Sequence, residues 1–205
     1  MNLKIRAATI YDSDGVERLL HSSGPEMYDF IYSHDSATAL EYIKYEFLSG
    51  DGFCGYKYLT VAEIDGEVVG IASFYTQSMH LKMSRGTVKN VLAFYGDLPG
   101  LDVLSKAQHV GSVMRCPGDS EVYIANLGVR PDFRGSGVGS QLLNAKKQEA
   151  IDNKYKLMSL DVAVANSNAQ KLYERLGFIV VEPNKIFSGC TGGSFSTNGM
   201  VLELG

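Results

Sequence analysis

Arg134 is followed by three glycines at alternate positions, Gly135, Gly137 and Gly139, with Ser136, Val138 and Ser140 between and after them. Residues without a Cβ let a bulky anion approach backbone N–H groups, and a guanidinium beside them adds fixed charge. The chemistry implied is capture of a phosphate or pyrophosphate. A Walker loop would need Gly-x-x-x-x-Gly-Lys-Ser/Thr, and no lysine follows these glycines before Lys146, so that reading fails. A dinucleotide fingerprint would be Gly-x-Gly-x-x-Gly; here the third glycine comes one place early, although Asp161 stands about 20 residues on, near where a ribose-binding acid would be. The bland alternative is a glycine-rich connection that packs a strand tightly on a helix.

These residues stand where a strand hands over to a helix. Glu121 to Val129 is apolar and β-rich, the Pro131-Asp132 turn admits no helix across it, and apolar residues then recur at helical spacing through Val138, Leu142, Ala145, Ala150 and Ile151. The first turn of a helix leaves N–H groups without internal partners and carries the positive end of the macrodipole, so the glycines mark an anion site. Lys156 to Val164 reads as the next strand, and strand, helix, strand implies a right-handed parallel crossover. The stretch Asn166 to Phe178 reads as a helix capped by Asn or Ser, striped by Ala169, Leu172, Tyr173 and Leu176, and stopped at Gly177.

Upstream, Leu3, Ile5 and Ala7 predict a short strand, and Asp12 opens a helix carrying Val16, Leu19 and Leu20. The Ser22 to Pro25 break leads to three close aromatics, Tyr28, Phe30 and Tyr32, before a second helix around Ser36 to Leu48 with Leu40, Ile43, Phe47 and Leu48 as its stripe. Two β-rich runs, Tyr56 to Ile64 and Val68 to Tyr75, flank Asp65-Gly66 and predict a hairpin. Thr76 to Asp119 holds two candidate helices, Thr87 to Tyr95 and Leu101 to Val113, broken by Gly96 to Gly100. Two strands end the chain, Ile179 to Val181 running on toward Phe187, and Met200 to Leu204.

With Leu127-Gly-Val129-Arg-Pro-Asp-Phe ahead of it, Arg134-Gly-Ser-Gly137-Val-Gly139 resembles the pyrophosphate loop of the GCN5-related N-acetyltransferase (GNAT) superfamily, Arg-x-x-Gly-x-Gly. The second signature is Asn166-Ser-Asn168-Ala-Gln-Lys-Leu-Tyr173 through Gly177-Phe178, and the strand Glu67 to Phe74 is similar to the family's third. The resemblance is close over about the last 85 residues and covers the first hundred only in the succession of elements. It implies a single α/β domain over residues 1–205, with a central mixed, strongly twisted sheet of about seven strands flanked by helices. Residues 76–119 would be a helical insertion between strands 3 and 4. The implied activity is transfer of an acetyl group from acetyl-CoA to a primary amine of a small molecule or peptide, by direct attack in a ternary complex. A non-catalytic acetyl-CoA sensor or subunit is the alternative.

The resemblance also assigns residues. The loop from Arg134 to Ser140, with Gly135, Ser136, Gly137, Val138 and Gly139, would bind the pyrophosphate. In the family the strand before the loop splays from its parallel neighbour, so Leu127 and Val129 would offer main-chain groups to the pantetheine arm and thioester, with Gly128 permitting a local bend. Asn166 would bond the pantetheine arm, Asn168 would cap its helix near the same ligand, and Tyr173 would donate a proton to the departing thiolate. Glu121 would be the base, raised toward neutral pKa by exclusion of water, or equally a solvated glutamate at the strand end, with Asn126 or Tyr123 as groups that could order a water instead. A homodimer is compatible with the family.

The totals agree with an enzyme domain. The 205 residues are 45% hydrophobic and 20% charged, enough to bury a core. A net charge of −4 with scattered basic residues argues against nucleic acid, and the absence of a long apolar run argues against a membrane and for the cytoplasm. Cys54, Cys116 and Cys190 are far apart with no histidine at ligand spacing, so reduced thiols and no metal are expected. The acceptor is not legible: His80, Lys82, Arg85, Lys89, Asp97, Asp102 and His109 in the insertion mix both signs.

Overall fold

In the computed structural model, which describes residues 2–188 and 194–205, Asp65 and Gly66 adopt φ of 52° and 87°. Two successive left-handed residues match the right-handed twist of paired strands, and they close β2 (Leu59–Ile64) on β3 (Glu67–Tyr75). β1 (Leu3–Ala7) adds antiparallel to β2, and β4 (Glu121–Val129) antiparallel to β3. β5 (Leu157–Ala163) lies parallel to β4, as the crossover predicts. The long hairpin of β6 (Ile179–Ser188) and β7 (Ser194–Glu203) completes a mixed sheet of order β1-β2-β3-β4-β5-β7-β6. β6 runs on past Phe187 as expected, β7 begins well before the expected Met200, and Cys190 lies outside the described residues.

Two helices cover one face. α6 (Val138–Asp152) and α7 (Ser167–Arg175) lay Val138, Leu142, Leu143 and Tyr173 on Val122 and Ile124 of β4 and Met158 and Leu160 of β5. Leu142 is fully buried, a contribution of roughly 2 kcal/mol. The opposite face takes α1 (Val16–His21), α2 (Pro25–Tyr32), α3 (Ala39–Ser49), α4 (Gln77–Tyr95) and α5 (Asp97–Gly111). Among the described residues no helix is long and apolar enough to cross a membrane.

Several local expectations change. Asp12 does not open α1; it ends a 3-10 turn, Ile10–Asp12, where its carboxylate caps Thr9 and pairs with Arg6 at 2.7 Å, and α1 starts after Gly15. The three aromatics lie on α2, a helix that Pro25 begins at its first position, where a missing N–H costs nothing. On α3 the inward positions are Tyr42, Ile43, Glu46 and Phe47, whereas Leu48 is exposed. α4 begins ten residues earlier than Thr87, capped by Thr76, and buries Thr87 and Asn90 while exposing Val88.

Candidate functional site

Pairing between β4 and β5 stops early. It joins Glu121–Ile124 to Leu157–Leu160, and beyond that point β4 pairs only with β3 and β5 only with β7. Ala125 is the extra residue of a bulge, since Ile124 faces Phe74 and Asn126 faces Ser73. A bulge bends its strand and ends pairing on the far side, so the two strands part here and leave the edge of Ala125 to Val129 unpaired among the described residues. The bend expected at Gly128 therefore sits at Ala125. Gly128 is glycine for another reason: a Cβ there would stand 2.2 Å from the Leu19 carbonyl oxygen of α1.

The glycine loop lies at the end of this gap. Arg130 spans Glu67 and Asp132 by ion pairs at 2.8 Å and covers the Phe133 ring, which fixes the 3-10 turn Pro131–Phe133. Gly135 and Gly137 then take φ of 78° and 91°, a region that L side chains avoid, and turn the chain into α6. The N–H groups of Gly137, Val138, Gly139 and Ser140 have no acceptor among the described residues. Gly139 instead has ordinary space around it, facing Leu127 and Val129 of β4 and Leu172 of α7. The structure thus brings the start of α6, the unpaired end of β4 and α7 together. The Arg134 Nε donates to the Val129 carbonyl at 3.1 Å, which holds its guanidinium beside the same gap.

On α7 the Asn166 side chain accepts from the Ala169 N–H at 3.1 Å and is itself the cap; Asn168, expected in that role, is an exposed residue of the first turn. Tyr173 is buried, edge-on to Phe178 at 5.8 Å. Its hydroxyl has no hydrogen bond among the described residues, and burial pushes its pKa up, so it carries its proton throughout the neutral range.

Glu121 differs from the expectation most. It lies at the paired end of β4, where Arg115 Nε donates to Oε1 at 2.7 Å and the Gly118 N–H to Oε2 at 3.1 Å. Burial works to raise its pKa, but the Arg115 guanidinium and these donors outweigh it and hold the carboxyl below the usual range. A carboxylate so paired is a poor base near neutral pH, which corrects the reading of Glu121 as one raised toward neutrality. Asn126 is also committed: Tyr28 and Ser23 hydroxyls donate to its Oδ1 at 2.7 Å, and its amide donates to Ser73 at 2.8 Å.

Sequence reasoning missed the groups around Glu121. Arg115 also reaches Glu182 at 3.2 Å, and its backbone N–H donates to the buried Asp161 carboxylate at 2.9 Å. Asp161 further accepts from the Tyr123 hydroxyl at 3.0 Å and pairs with Lys185. Asp161 is therefore an inward structural anchor, not the ribose-binding acid of a dinucleotide fold. Its one sequence signal was a charge within an apolar strand. Cys54 and Cys116 form no disulfide, and no group of three or more His, Cys, Asp and Glu among the described residues could hold a metal ion.

Comparison with known proteins bears on this geometry. The model of the acetyltransferase (GNAT) family matches residues 21–178. Mycothiol acetyltransferase of Corynebacterium aurimucosum is 36% identical over 72 residues, which are 35% of this chain and 23% of that protein. N-alpha-acetyltransferase 50 of Danio rerio is 28% identical over 99 residues, 46% of this chain and 53% of that protein. The matches thus span about half or less of these relatives' length. Among solved structures, an N-acetyltransferase from Staphylococcus aureus Mu50 superposes with a TM-score of 0.70 at 20% identity, covering 97% of this chain and 100% of that one. PaiA N-acetyltransferase of Thermoplasma acidophilum, solved in complex with coenzyme A, gives 0.56 at 15% identity and 99% coverage of both. At such identities the likeness is one of fold.

Proposed function

Because the chain belongs to the acetyltransferase (GNAT) family, we propose that it transfers an acetyl group from acetyl-CoA to a primary amine, both bound at once. The observation that carries this reading is the opening between β4 and β5 beyond Ile124, which ends at four N–H groups of the α6 start that have no acceptor among the described residues.

Acetyl-CoA supplies an activated acyl carbon and a thiol leaving group. The N–H groups of Gly137 to Ser140, together with Arg134, would hold its pyrophosphate by direct donation and by the positive end of the α6 macrodipole. The unpaired edge of β4 at Leu127 and Val129 would extend the sheet onto the pantetheine arm and present an N–H to the carbonyl oxygen as negative charge develops there. Asn166 spends its oxygen on the α7 cap and keeps its amide N–H groups for the same arm. Tyr173, protonated and unpartnered among the described residues, would give its proton to the sulfur as the thioester C–S bond breaks. Glu121 takes no part; the amine's proton would leave through solvent at the open side of the gap.

The test is calorimetric titration of acetyl-CoA into the wild-type protein and into an Arg134→Ala, Gly137→Glu variant, followed by free-thiol release with a panel of amines. Binding that the variant abolishes, with thiol release on at least one amine, is expected. Absence of heat with the wild-type protein would overturn the reading.

A further inference from the structure

On the face that carries α4, an aromatic cluster adjoins the point where the strands part. Tyr75 and Tyr123 are cross-strand partners with ring centroids 5.1 Å apart. Phe53 stands edge-on to Tyr75 at 5.7 Å, and His80 of α4 closes the triangle at 5.3 Å from Phe53 and 5.4 Å from Tyr75. The two tyrosines are buried, whereas Phe53, Tyr58 and His80 form a half-buried rim, and Ala125, the bulge residue itself, packs against the same cluster. On the acyltransfer reading above, the thioester would lie on β4 beyond Ala125, with this rim beside it.

The charges behind the cluster are already satisfied by one another. Asp161 takes Lys185, the Tyr123 hydroxyl and the Arg115 N–H; Glu121 and Glu182 both take Arg115, and Glu182 also takes Lys185 at 3.0 Å. The set holds three carboxylates and two cations, each cation shared by two carboxylates, so a carboxylate on an acceptor would be repelled and a second ammonium would have to compete with Arg115 and Lys185 for oxygens they already hold. The His80 ring adds no charge near neutral pH, because burial lowers its pKa. The rings also pack edge-on and tilted against each other, forming a continuous apolar surface rather than a cage around a cation.

We propose that the rim of Phe53, Tyr58 and His80 beside Ala125 seats the body of the acceptor, and that the acceptor is a primary amine on an aromatic or compact apolar body with no second charge. This inference rests on the acyltransfer reading above and narrows it.

The experiment compares free-thiol release from acetyl-CoA with 2-phenylethylamine, putrescine and β-alanine, in the wild-type protein and in Phe53→Ala and His80→Ala variants. The aromatic amine is expected to lead in kcat/KM by about tenfold or more, the discrimination that apolar contact supplies. Each variant should raise its KM by about tenfold while leaving kcat and the calorimetric affinity for acetyl-CoA unchanged. Having two variants guards against one of them disturbing the fold, which a changed acetyl-CoA affinity would reveal. Thiol release led by putrescine or β-alanine, or an unmoved KM in the variant that keeps acetyl-CoA affinity, overturns this inference and leaves acyl transfer standing. No heat with acetyl-CoA in the wild-type protein overturns both.

Discussion

Replacing Tyr173 by Phe removes one oxygen, and the surroundings of that oxygen set two separate magnitudes. The ring is buried against Phe178 and keeps all its packing in the variant. Its hydroxyl has no hydrogen-bond partner among the described residues, so no internal bond is lost and stability should change by less than about 0.5 kcal/mol. A proton donor to a leaving group is worth at least about 100-fold in rate, or about 2.7 kcal/mol of transition-state stabilisation. Urea unfolding and calorimetric titration of acetyl-CoA measure the first quantity and the ground-state binding; free-thiol release with a turned-over amine measures the second. The expected pattern is an unchanged urea midpoint, unchanged acetyl-CoA affinity and a kcat about 100-fold lower. Unaltered kcat would refute the proton-donor role. A fall in kcat matched by a stability loss above about 1 kcal/mol would show instead that the hydroxyl acts by holding the fold.

Gly128→Ala would place a methyl carbon 2.2 Å from the Leu19 carbonyl oxygen, and since that contact is with backbone, α1 or β4 must move. A loss of about 1–3 kcal/mol in urea unfolding is expected, with weaker acetyl-CoA binding because Leu127 and Val129 shift too; an unchanged midpoint would refute the close-approach account. Glu121→Gln tests the ion pair with Arg115. The folded carboxyl titrates below its unfolded value, so its stabilisation is full above that value and is lost as pH falls through the lower folded one. The variant should be less stable at neutral pH, with the difference closing below about pH 4, while the pH profile of thiol release between pH 6 and 9 stays as in the wild type; a displaced profile would return Glu121 to the reaction.

The last 85 residues were the most legible part of the chain, and the reason is local chemistry. Gly135, Gly137 and Gly177 each hold a left-handed backbone position and Asn166 supplies a side-chain cap, so their spacing reads directly as turn, helix start and helix stop. The insertion read less well because its helices meet polar partners. Gly86 looks like a breaker inside α4, yet a Cβ there would stand 2.5 Å from the Gly52 backbone nitrogen. Thr87 and Asn90 interrupt the apolar stripe because they face buried Glu46, the Asp51 carbonyl and the Phe53 N–H. Glu46 is itself an acidic residue on the inner face of α3, bonded by the Tyr42 hydroxyl at 2.8 Å and the Cys54 N–H at 2.9 Å. Periodicity cannot register a polar core, and α2 is only eight residues long, with three closely spaced aromatics masking the helix start that Pro25 marks. The Arg115 links were out of reach for a different reason, since the residues they join are up to 67 positions apart.

The parting of β4 from β5 also has a mechanical meaning. It divides the sheet into a plate of four strands and a plate of three, with four residue pairs carrying the seam between them. On the proposed binding mode, a long ligand laid along this seam would act as a splint, joining two plates that the chain has left partly unstitched. Occupying the gap should therefore slow amide exchange on β4 and β5 together, on both banks of the seam. Exchange slowed on β4 only would mean that the plates do not flex there. On that reading, the missing pairs would leave to the ligand a share of the stiffness that another sheet builds from its own backbone.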